Sequence, residues 1–600
     1  MNQHDKKLGI DIKVNKTLLG MVSLISLLPL LFWMIKSVPS FAIVWIIAYF
    51  FLAIVIYKFI KKNYINFLKN LNQPFDKRWP FLWKAWCVVI GVWLTLNIPI
   101  ISPSFENTFI HSRLLKLIYI SSFAVLIAVI FFFLTTSLAF HRFTEVKPRL
   151  SFKVGRKMLK YSLTMIIVWL IYFLAFYPGM MSADSMDQWN QILTGQYVNH
   201  HPVFHTLFLW LLTRIYFSPV SIALAQIILL AAIAGIWFAT FEILGVRKWI
   251  IWLFVFIFSF TPVNGTMVNT IWKDIPYAIT VLTLTYFLFR VIWSDGSWIR
   301  KWKNSLIFGS VLSLVALFRH DGLVVAAGTL VVVFLLCFKY LKNWVIVTIT
   351  FLLIVFAVRG PLYRSVNSTE STVLEESSLS LYEISAYALP ESEPDLLLKS
   401  MEIYPPNWDC SVWTELSANW KETSINRSQP FADVMKNSIN RLPKILLYNY
   451  RCERSLEFVV WDPYGEVRNA SHVEVLVDPN PFGIVADSKL PGLRNVIASF
   501  VIKTSHDPKL NWFVWRPAFF LYILLFTTSV LILRHHNLKY ILLIMPALLQ
   551  AVTFTLIFAA PNFRYYYATY LMALITLPLL FSPAVKEKKG TEIISIEGEK

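Results

Sequence analysis

Residues 220–244 read VSIALAQIILLAAIAGIWFATFEIL and contain one charged side chain, Glu242. A helix of roughly 17–25 such residues spans the ~30 Å hydrocarbon core of a bilayer. Similar runs recur along most of the chain, which is 57% hydrophobic and only 15% charged, unlike an ordinary water-soluble protein. A transmembrane barrel would instead show weak alternation of apolar and polar residues. The sequence therefore predicts an all-α polytopic membrane protein.

We predict about fourteen transmembrane helices from the apolar runs. The predicted spans are 17–35, 38–57, 81–101, 114–140, 161–177, 220–244, 249–265, 276–293, 304–318, 322–339, 343–358, 514–533, 540–559 and 567–584. The apolar stretch 205–217 is predicted to be re-entrant or interfacial, because a span there would place Arg247 and Lys248 outside the cell. The even count puts both termini in the cytoplasm.

The net charge of +20 raises the question of nucleic-acid binding, and the placement of the charge answers it. Lys and Arg cluster in segments 58–78 and 142–160, whereas 177–213 contains neither. This asymmetry is typical of the positive-inside rule, which puts basic loops in the cytoplasm. We therefore expect no nucleic-acid partner and a multi-pass membrane protein in contact with membrane lipid; the family resemblance described below implies that this membrane is the bacterial plasma membrane.

Segment 359–513 interrupts the apolar pattern, since it is rich in Ser, Glu, Asp, Pro and Asn. By its position between spans we predict an extracytoplasmic soluble domain of mixed or unknown fold. The predicted organisation is four N-terminal spans in 1–160, a membrane core in 161–358 with an external loop at 177–219, the soluble domain 359–513, C-terminal spans in 514–584 and a cytoplasmic tail at 585–600.

Four cysteines are too few for a disulfide scaffold. Cys87 and Cys337 fall within apolar spans, where a buried thiol is expected. Cys410 and Cys452 fall in the predicted external domain, so a disulfide between them and two free thiols are both open.

Polar and ionisable residues concentrate in loops that the topology puts on the external face. In the first, Asp184 and Asp187 follow a helix end broken by Pro178 and Gly179. Either carboxylate could act as a general base at the membrane surface. The alternative is that Ser182, Asp184 or Ser185 caps a short helix, with Gln188 completing a capping box after Ser185.

His200, His201 and His205 follow in the same loop, and imidazoles at this spacing could bind a metal ion. Pro202 interrupts a continuous helix there, so histidines that hydrogen-bond a polar substrate or cap the next segment are the preferred interpretation.

Three cations also fall on the external face, where short loops usually contain few Lys and Arg residues. They are Lys273 beside Asp274, Arg319 near His320 and Asp321, and Arg564 beside Tyr565. Lys and Arg side chains that snorkel to an aromatic belt and pair with neighbouring carboxylates would explain each one alone. Three together favour an anionic ligand such as a lipid-linked phosphate.

These motifs give the chain a family resemblance. It resembles the GT-C class of membrane glycosyltransferases, especially a bacterial branch with a YPG…DS…Q…HP first external loop. The matching segments are YPGMMSADSMDQWNQ (177–191), HHPVFHT (200–206), IWKDIPYA (271–278), LFRHDGL (317–323) and PNFRYYY (561–567). Four predicted helices precede this loop, whereas the loop usually follows the first helix of the class, so 1–150 is interpreted as an N-terminal addition.

The resemblance implies transfer of a sugar from a polyprenyl-phosphate donor to a cell-envelope glycan or lipid acceptor, with inversion. Asp184 maps to the catalytic base, with Asp187 second. We expect no required cofactor and leave a divalent cation open. The expected substrate-binding residues are His200, His201, His205, Lys273, Asp274, Arg319, His320, Arg564 and Tyr565.

Three other functions stay open at this stage. A polysaccharide polymerase or ligase would handle the same lipid-linked sugars. A lipid-linked-sugar transporter or flippase would typically place ionisable residues near the bilayer midplane and show paired broken helices, and the sequence shows neither. A membrane scaffold would instead use its external domain to bind a partner protein.

Overall fold

The computed structural model describes residues 16–37, 42–71, 79–97, 113–141, 154–369, 471–557 and 562–583. Within these ranges the protein is helical, and the only β-type pairings are the isolated bridges Met180–Thr270, Met181–Val477 and Val198–Thr369. The all-α prediction is confirmed for this part of the chain. Two compact units are formed, one by residues 1–142 with 529–536, the other by 143–528 with 537–600.

The first unit contains four long apolar helices. They are α1 (Lys16–Ser37), α2 (Ala42–Leu71), α3 (Trp79–Asn97) and α4 (Arg113–Ala139). Cys87 on α3 is buried and free, as its position in an apolar run predicted. The unit also includes residues 529–536, where Ser529 accepts a hydrogen bond from Trp86 Nε1 at 3.1 Å.

The second unit holds the polar loops that contain the predicted site residues, and most of the helices. Its helices are α5 (Gly155–Ala175), α6 (Ala183–Thr194), α7 (Val203–Thr213), α8 (Pro219–Ile243), α9 (Lys248–Phe260), α10 (Pro262–Met267), α11 (Asp274–Trp293), α12 (Trp302–Phe318), α13 (Gly322–Leu336), α14 (Leu341–Ala357), α15 (Pro491–His506), α16 (Pro508–Val514), α17 (Pro517–His535), α18 (Met545–Ile557) and α19 (Tyr567–Thr576). The last residues of α17, from Ser529, belong to the first unit.

Seven helices among the described residues are long and apolar enough to cross a membrane. They are Ala42–Ile65, Leu117–Ala139, Gly155–Ala175, Pro219–Ile243, Asp274–Trp293, Phe338–Ser365 and Lys509–His535. Further apolar helices of 10–17 residues include Val203–Thr213, inside the segment predicted to be re-entrant or interfacial. The protein is a helical membrane protein, and the count of fourteen spans stays a prediction.

The helices of the second unit end at two faces. At the first face, Lys157 pairs with Glu242 at 3.1 Å and Lys539 pairs with Asp295. The helix ends and loops at this face also carry Arg247, Lys248, Arg300, Lys301 and Lys303. We call it the basic face. The opposite ends of the same helices bring together loops 176–182, 268–273, 319–321 and 562–566, and we call these ends the site face.

The predicted disulfide or free thiols and the predicted soluble domain fall mainly on residues that the structure does not describe. Cys410 and Cys452 lie outside the described residues, as does most of the predicted soluble domain. At its C-terminal end, residues 471–490 run against the first polar loop: Asp478 N donates to Met181 O at 2.9 Å and Lys489 N donates to Leu174 O at 2.9 Å. Cys337 is buried and free, as predicted.

Candidate functional site

The first polar loop is fixed by backbone pairing on both sides. Gly179 adopts a φ of 123°, which a residue with a Cβ rarely tolerates, and this turns the chain away from the end of α5. Met180 N then donates to Asn269 O at 2.9 Å, and Met181 N donates to Leu476 O at 2.8 Å. The loop is therefore held between two other segments before α6 begins.

Ser182 caps the N-terminus of α6. Its backbone N–H donates to Ser185 Oγ at 3.3 Å, and its own Oγ accepts a hydrogen bond from Trp272 Nε1 at 2.7 Å. Of the three capping candidates the structure selects Ser182. The alternative capping box of Ser185 with Gln188 is wrong, because the box is formed by Ser182 and Ser185 and Gln188 Nε2 bonds His205 Nδ1 at 2.9 Å and Thr206 Oγ1 at 3.0 Å.

The apolar face of α6 determines where Asp184 points. Met186 and Trp189 pack into a buried cluster with Leu209 and Ile222. This leaves Asp184, in the first turn, at the water-accessible side, with 34% of its side chain exposed.

Asp184 forms the central ion pair of the site. Its Oδ2 lies 2.6 Å from Arg564 Nη1, and its Oδ1 lies 3.8 Å from His201 Nε2. Burial would raise the pKa of Asp184, but the nearby guanidinium of Arg564, with His201 and Lys273, outweighs burial and lowers this pKa to about 2. The side chain is therefore a carboxylate, and a weakly basic one.

Lys273 and His201 form a second contact beside this pair. Lys273 Nζ donates to His201 Nδ1 at 2.7 Å, so the imidazole proton lies on Nε2, which faces Asp184. Burial, and then Lys273, hold the pKa of His201 well below its usual range. His201 is therefore neutral and approaches Asp184 as a dipole. Burial also lowers the pKa of Lys273 to about 8.

Arg319 is the centre of a buried cluster with two carboxylates. Its Nη1 contacts Asp274 Oδ1, and its Nε lies 2.9 Å from Asp321 Oδ1. Only 3% of the Arg319 side chain and 1% of the Asp274 side chain are exposed. Gly322 permits the tight turn that brings these groups together, since a Cβ there would overlap the backbone of Val315.

Four aromatic rings lie against the guanidinium groups of Arg564 and Arg319. The guanidinium of Arg564 lies 4.9 Å from the ring centre of Trp272 and 5.1 Å from that of Tyr565. The guanidinium of Arg319 lies 4.8 Å from the same Tyr565 ring. The ring centres of Tyr277 and Phe554 each lie 5.4 Å from the guanidinium of Arg319. Aromatic faces at these distances stabilise a cation, and they exclude water from one side of it.

No protein-family model, curated protein or solved structure matches this chain. The assignment of a function accordingly depends on the site itself and on the motifs that carry the family resemblance.

The predicted site residues divide into two groups. Six of them are joined by contacts in one cluster, which we call the site cluster: Asp184, His201, Lys273, Asp274, Arg319 and Arg564. Tyr565 packs against it, and Asp321, which is not among the predicted site residues, completes it. The others lie apart: exposed Asp187 accepts a hydrogen bond from Gln191 Nε2 at 2.8 Å, His205 is buried against Gln188, and His200 and His320 are exposed.

The histidines do not gather around a common point. His201 and His205 bond different partners, and His200 only approaches His201, with ring centres 4.7 Å apart. Within the described residues no group of three or more His, Cys, Asp or Glu side chains is arranged to hold a metal ion.

Sequence reasoning missed the aromatic residues of the site, Trp272, Tyr277 and Phe554. Trp272 and Tyr277 flank the Lys273–Asp274 pair in the motif IWKDIPY, and this adjacency is a signal that could have identified them. Phe554 carries no comparable signal, because it is one of 48 phenylalanines in the chain.

The site cluster combines a proton acceptor with cations at the end of a helical bundle. Three carboxylates face one ammonium and two guanidinium groups, so their formal charges balance. Asp274 Oδ2 and Arg564 Nε face each other at 3.9 Å, and neither atom has a hydrogen-bond partner. Both buried atoms therefore keep unused hydrogen-bonding capacity, next to the partly exposed carboxylate of Asp184.

Proposed function

We propose that this protein is a membrane glycosyltransferase that moves a sugar from a polyprenyl-phosphate donor to a cell-envelope acceptor, with inversion. It would act on the extracytoplasmic face of a bacterial plasma membrane, with both termini in the cytoplasm. The observation that carries the proposal is the pairing of Asp184 with Arg564 beside Lys273 and Arg319. A base and several cations at one point are what such a transfer needs.

The donor would be recognised through its charge and its lipid. Arginine and lysine can bind phosphate oxygens, arginine through two parallel hydrogen bonds. The apolar helix α13 begins at the site cluster and runs away from it with Val324, Val331 and Leu335 exposed, so a polyprenyl tail could pack along this helix while its phosphate stays at the helix end. The cluster lies at the opposite end from the basic face, as an extracytoplasmic site requires.

The proposed reaction assigns a role to each of these groups. The acceptor hydroxyl oxygen attacks the anomeric carbon from the side opposite the phosphate and forms the new glycosidic bond. The bond from that carbon to the phosphate oxygen breaks, and its electron pair stays on the departing polyprenyl phosphate. The hydroxyl proton passes to Asp184. Arg564 and Lys273 stabilise the negative charge that grows on the phosphate, and the Nε2–H of His201, 3.8 Å from Asp184 Oδ1, faces the carboxylate as a dipole.

The test compares two conservative substitutions on the same helix. Asp184→Asn removes the base, whereas Asp187→Asn changes an exposed carboxylate outside the site cluster. Cell-envelope glycans from a deletion strain and from both variants are compared by mass spectrometry, with membrane abundance measured in parallel. We expect the same sugar to be missing from the deletion and Asp184→Asn strains and present with Asp187→Asn. Normal glycosylation with Asp184→Asn at normal abundance would refute the proposal.

A further inference from the structure

Arg564 lies between the carboxylates of Asp184 and Asp274 and is closer to Asp184. Its Nη1 lies 2.6 Å from Asp184 Oδ2, while its Nε stops 3.9 Å from Asp274 Oδ2. Its Nη2 donates to Tyr565 Oη at 3.3 Å. The guanidinium also packs against the rings of Trp272 and Tyr565, which hold it in place. Arg564 is therefore positioned independently of Asp184.

In this arrangement Asp184 is poorly suited to accept a proton. One carboxylate oxygen is in contact with a guanidinium, and the neutral Nε2–H of His201 faces the other. An efficient general base has its pKa nearer the working pH. The contact between Asp184 and Arg564 must therefore weaken before Asp184 can act as a general base.

A phosphate group competes for the same donor. Guanidinium groups bind phosphate and carboxylate through the same kind of charge-assisted, two-pronged contact. Of the two carboxylates near Arg564, Asp184 is the one open to water, since 34% of its side chain is exposed against 1% for Asp274. An incoming phosphate would therefore replace Asp184 and leave Asp274 in place.

We infer that phosphate and Asp184 compete for Arg564, so that binding of the polyprenyl-phosphate donor releases Asp184 to serve as the base. This inference depends on the proposed function and adds an order of events to it. The donor binds first and takes Arg564. Asp184, still beside Lys273 and His201, then accepts the hydrogen bond of the acceptor hydroxyl. Without the donor, the site does not deprotonate other hydroxyl groups.

The test measures binding of a short lipid phosphate rather than catalysis. Farnesyl phosphate is titrated by calorimetry into the full chain in detergent, for the wild type, Asp184→Asn, Arg564→Gln and the double variant, with Asp187→Asn as the matched control. Loss of the catalytic base should strengthen binding by roughly tenfold or more, because a charge-assisted contact no longer competes. Asp187→Asn should leave the affinity unchanged.

The Arg564→Gln background separates competition from simple charge repulsion. If Asp184 acts by competing for Arg564, Asp184→Asn should change the affinity by no more than about twofold once Arg564 is absent. Equal gains in both backgrounds would mean that Asp184 only repels the phosphate, and the inference would fail. An affinity of Asp184→Asn equal to or weaker than that of the wild type would also overturn it. Failure of the proposed function looks different, since Asp184→Asn would then leave the cell-envelope sugar in place in the glycan comparison, whatever the affinities for farnesyl phosphate.

Discussion

Replacing Arg319 with methionine is expected to destabilise the second unit by about 3–5 kcal/mol, the usual cost of breaking a buried ion pair by removing one partner. Arg319 is the shared cation of Asp274 and Asp321, whose side chains are 1% and 9% exposed. Methionine keeps much of the side-chain volume and removes the charge, so the change tests electrostatics rather than packing.

The magnitude follows from what is left behind. Without Arg319, two carboxylates remain in a site that water barely reaches, and the nearest guanidinium atom to Asp274 is Arg564 Nε at 3.9 Å. Adding Asp274→Asn and Asp321→Asn removes both uncompensated charges. We therefore expect the triple variant to regain most of the lost stability, because a neutral replacement of a whole buried charged group is often nearly free of cost.

Stability is measured by the intrinsic fluorescence of the full chain during unfolding with sodium dodecyl sulfate in mixed micelles. The wild type, Arg319→Met and the triple variant are compared under one detergent condition. If Arg319→Met were as stable as the wild type, the buried cluster would contribute no net stabilisation. A triple variant no more stable than the single one would show that the loss comes from packing.

Two further predictions concern neighbouring residues. Burial lowers the pKa of Lys273 from 10.5 to about 8, so kcat/KM should fall as pH rises through about 8 and the ammonium loses its proton. The pH profile of Lys273→Arg should lack this decrease, and a wild-type profile that stays flat through that range would contradict the role. Trp272→Phe should cost about 1 kcal/mol of stability through loss of the hydrogen bond to Ser182 while keeping a ring beneath Arg564. A matched Trp272→Leu variant should bind farnesyl phosphate more weakly than Trp272→Phe, and equal affinities would argue against the aromatic contact.

Continuous apolar runs were sufficient to predict helices, because a run such as 220–244 has only one stable form in hydrocarbon. The structure has α8 at Pro219–Ile243, within one residue of the prediction at each end. Helices interrupted by proline or by polar turns were harder to delimit. The predicted span 249–265 is divided into α9 and α10 at Thr261, since Pro262 cannot donate a backbone hydrogen bond to continue α9.

The site residues could be selected by type and position, but their pairing could not. Sequence proximity suggested that Lys273 pairs with Asp274, whereas Lys273 bonds His201 and Asp274 contacts Arg319. Neighbouring residues at the start of a helix point in different directions, so each finds its partner on another element. The choice between Asp184 and Asp187 likewise depends on how α6 docks its apolar face, which the loop sequence alone does not specify.

The pairing of Asp184 with Arg564 joins the beginning of the second unit to its last helices. Most of the second unit's sequence lies between the two residues, including α8 to α18. While the ribosome is still making those helices, Asp184 has already been inserted without its counter-ion. The ion pair can form only after α19 has been delivered to the membrane and packed, so assembly of the site is among the last steps in the biogenesis of this unit.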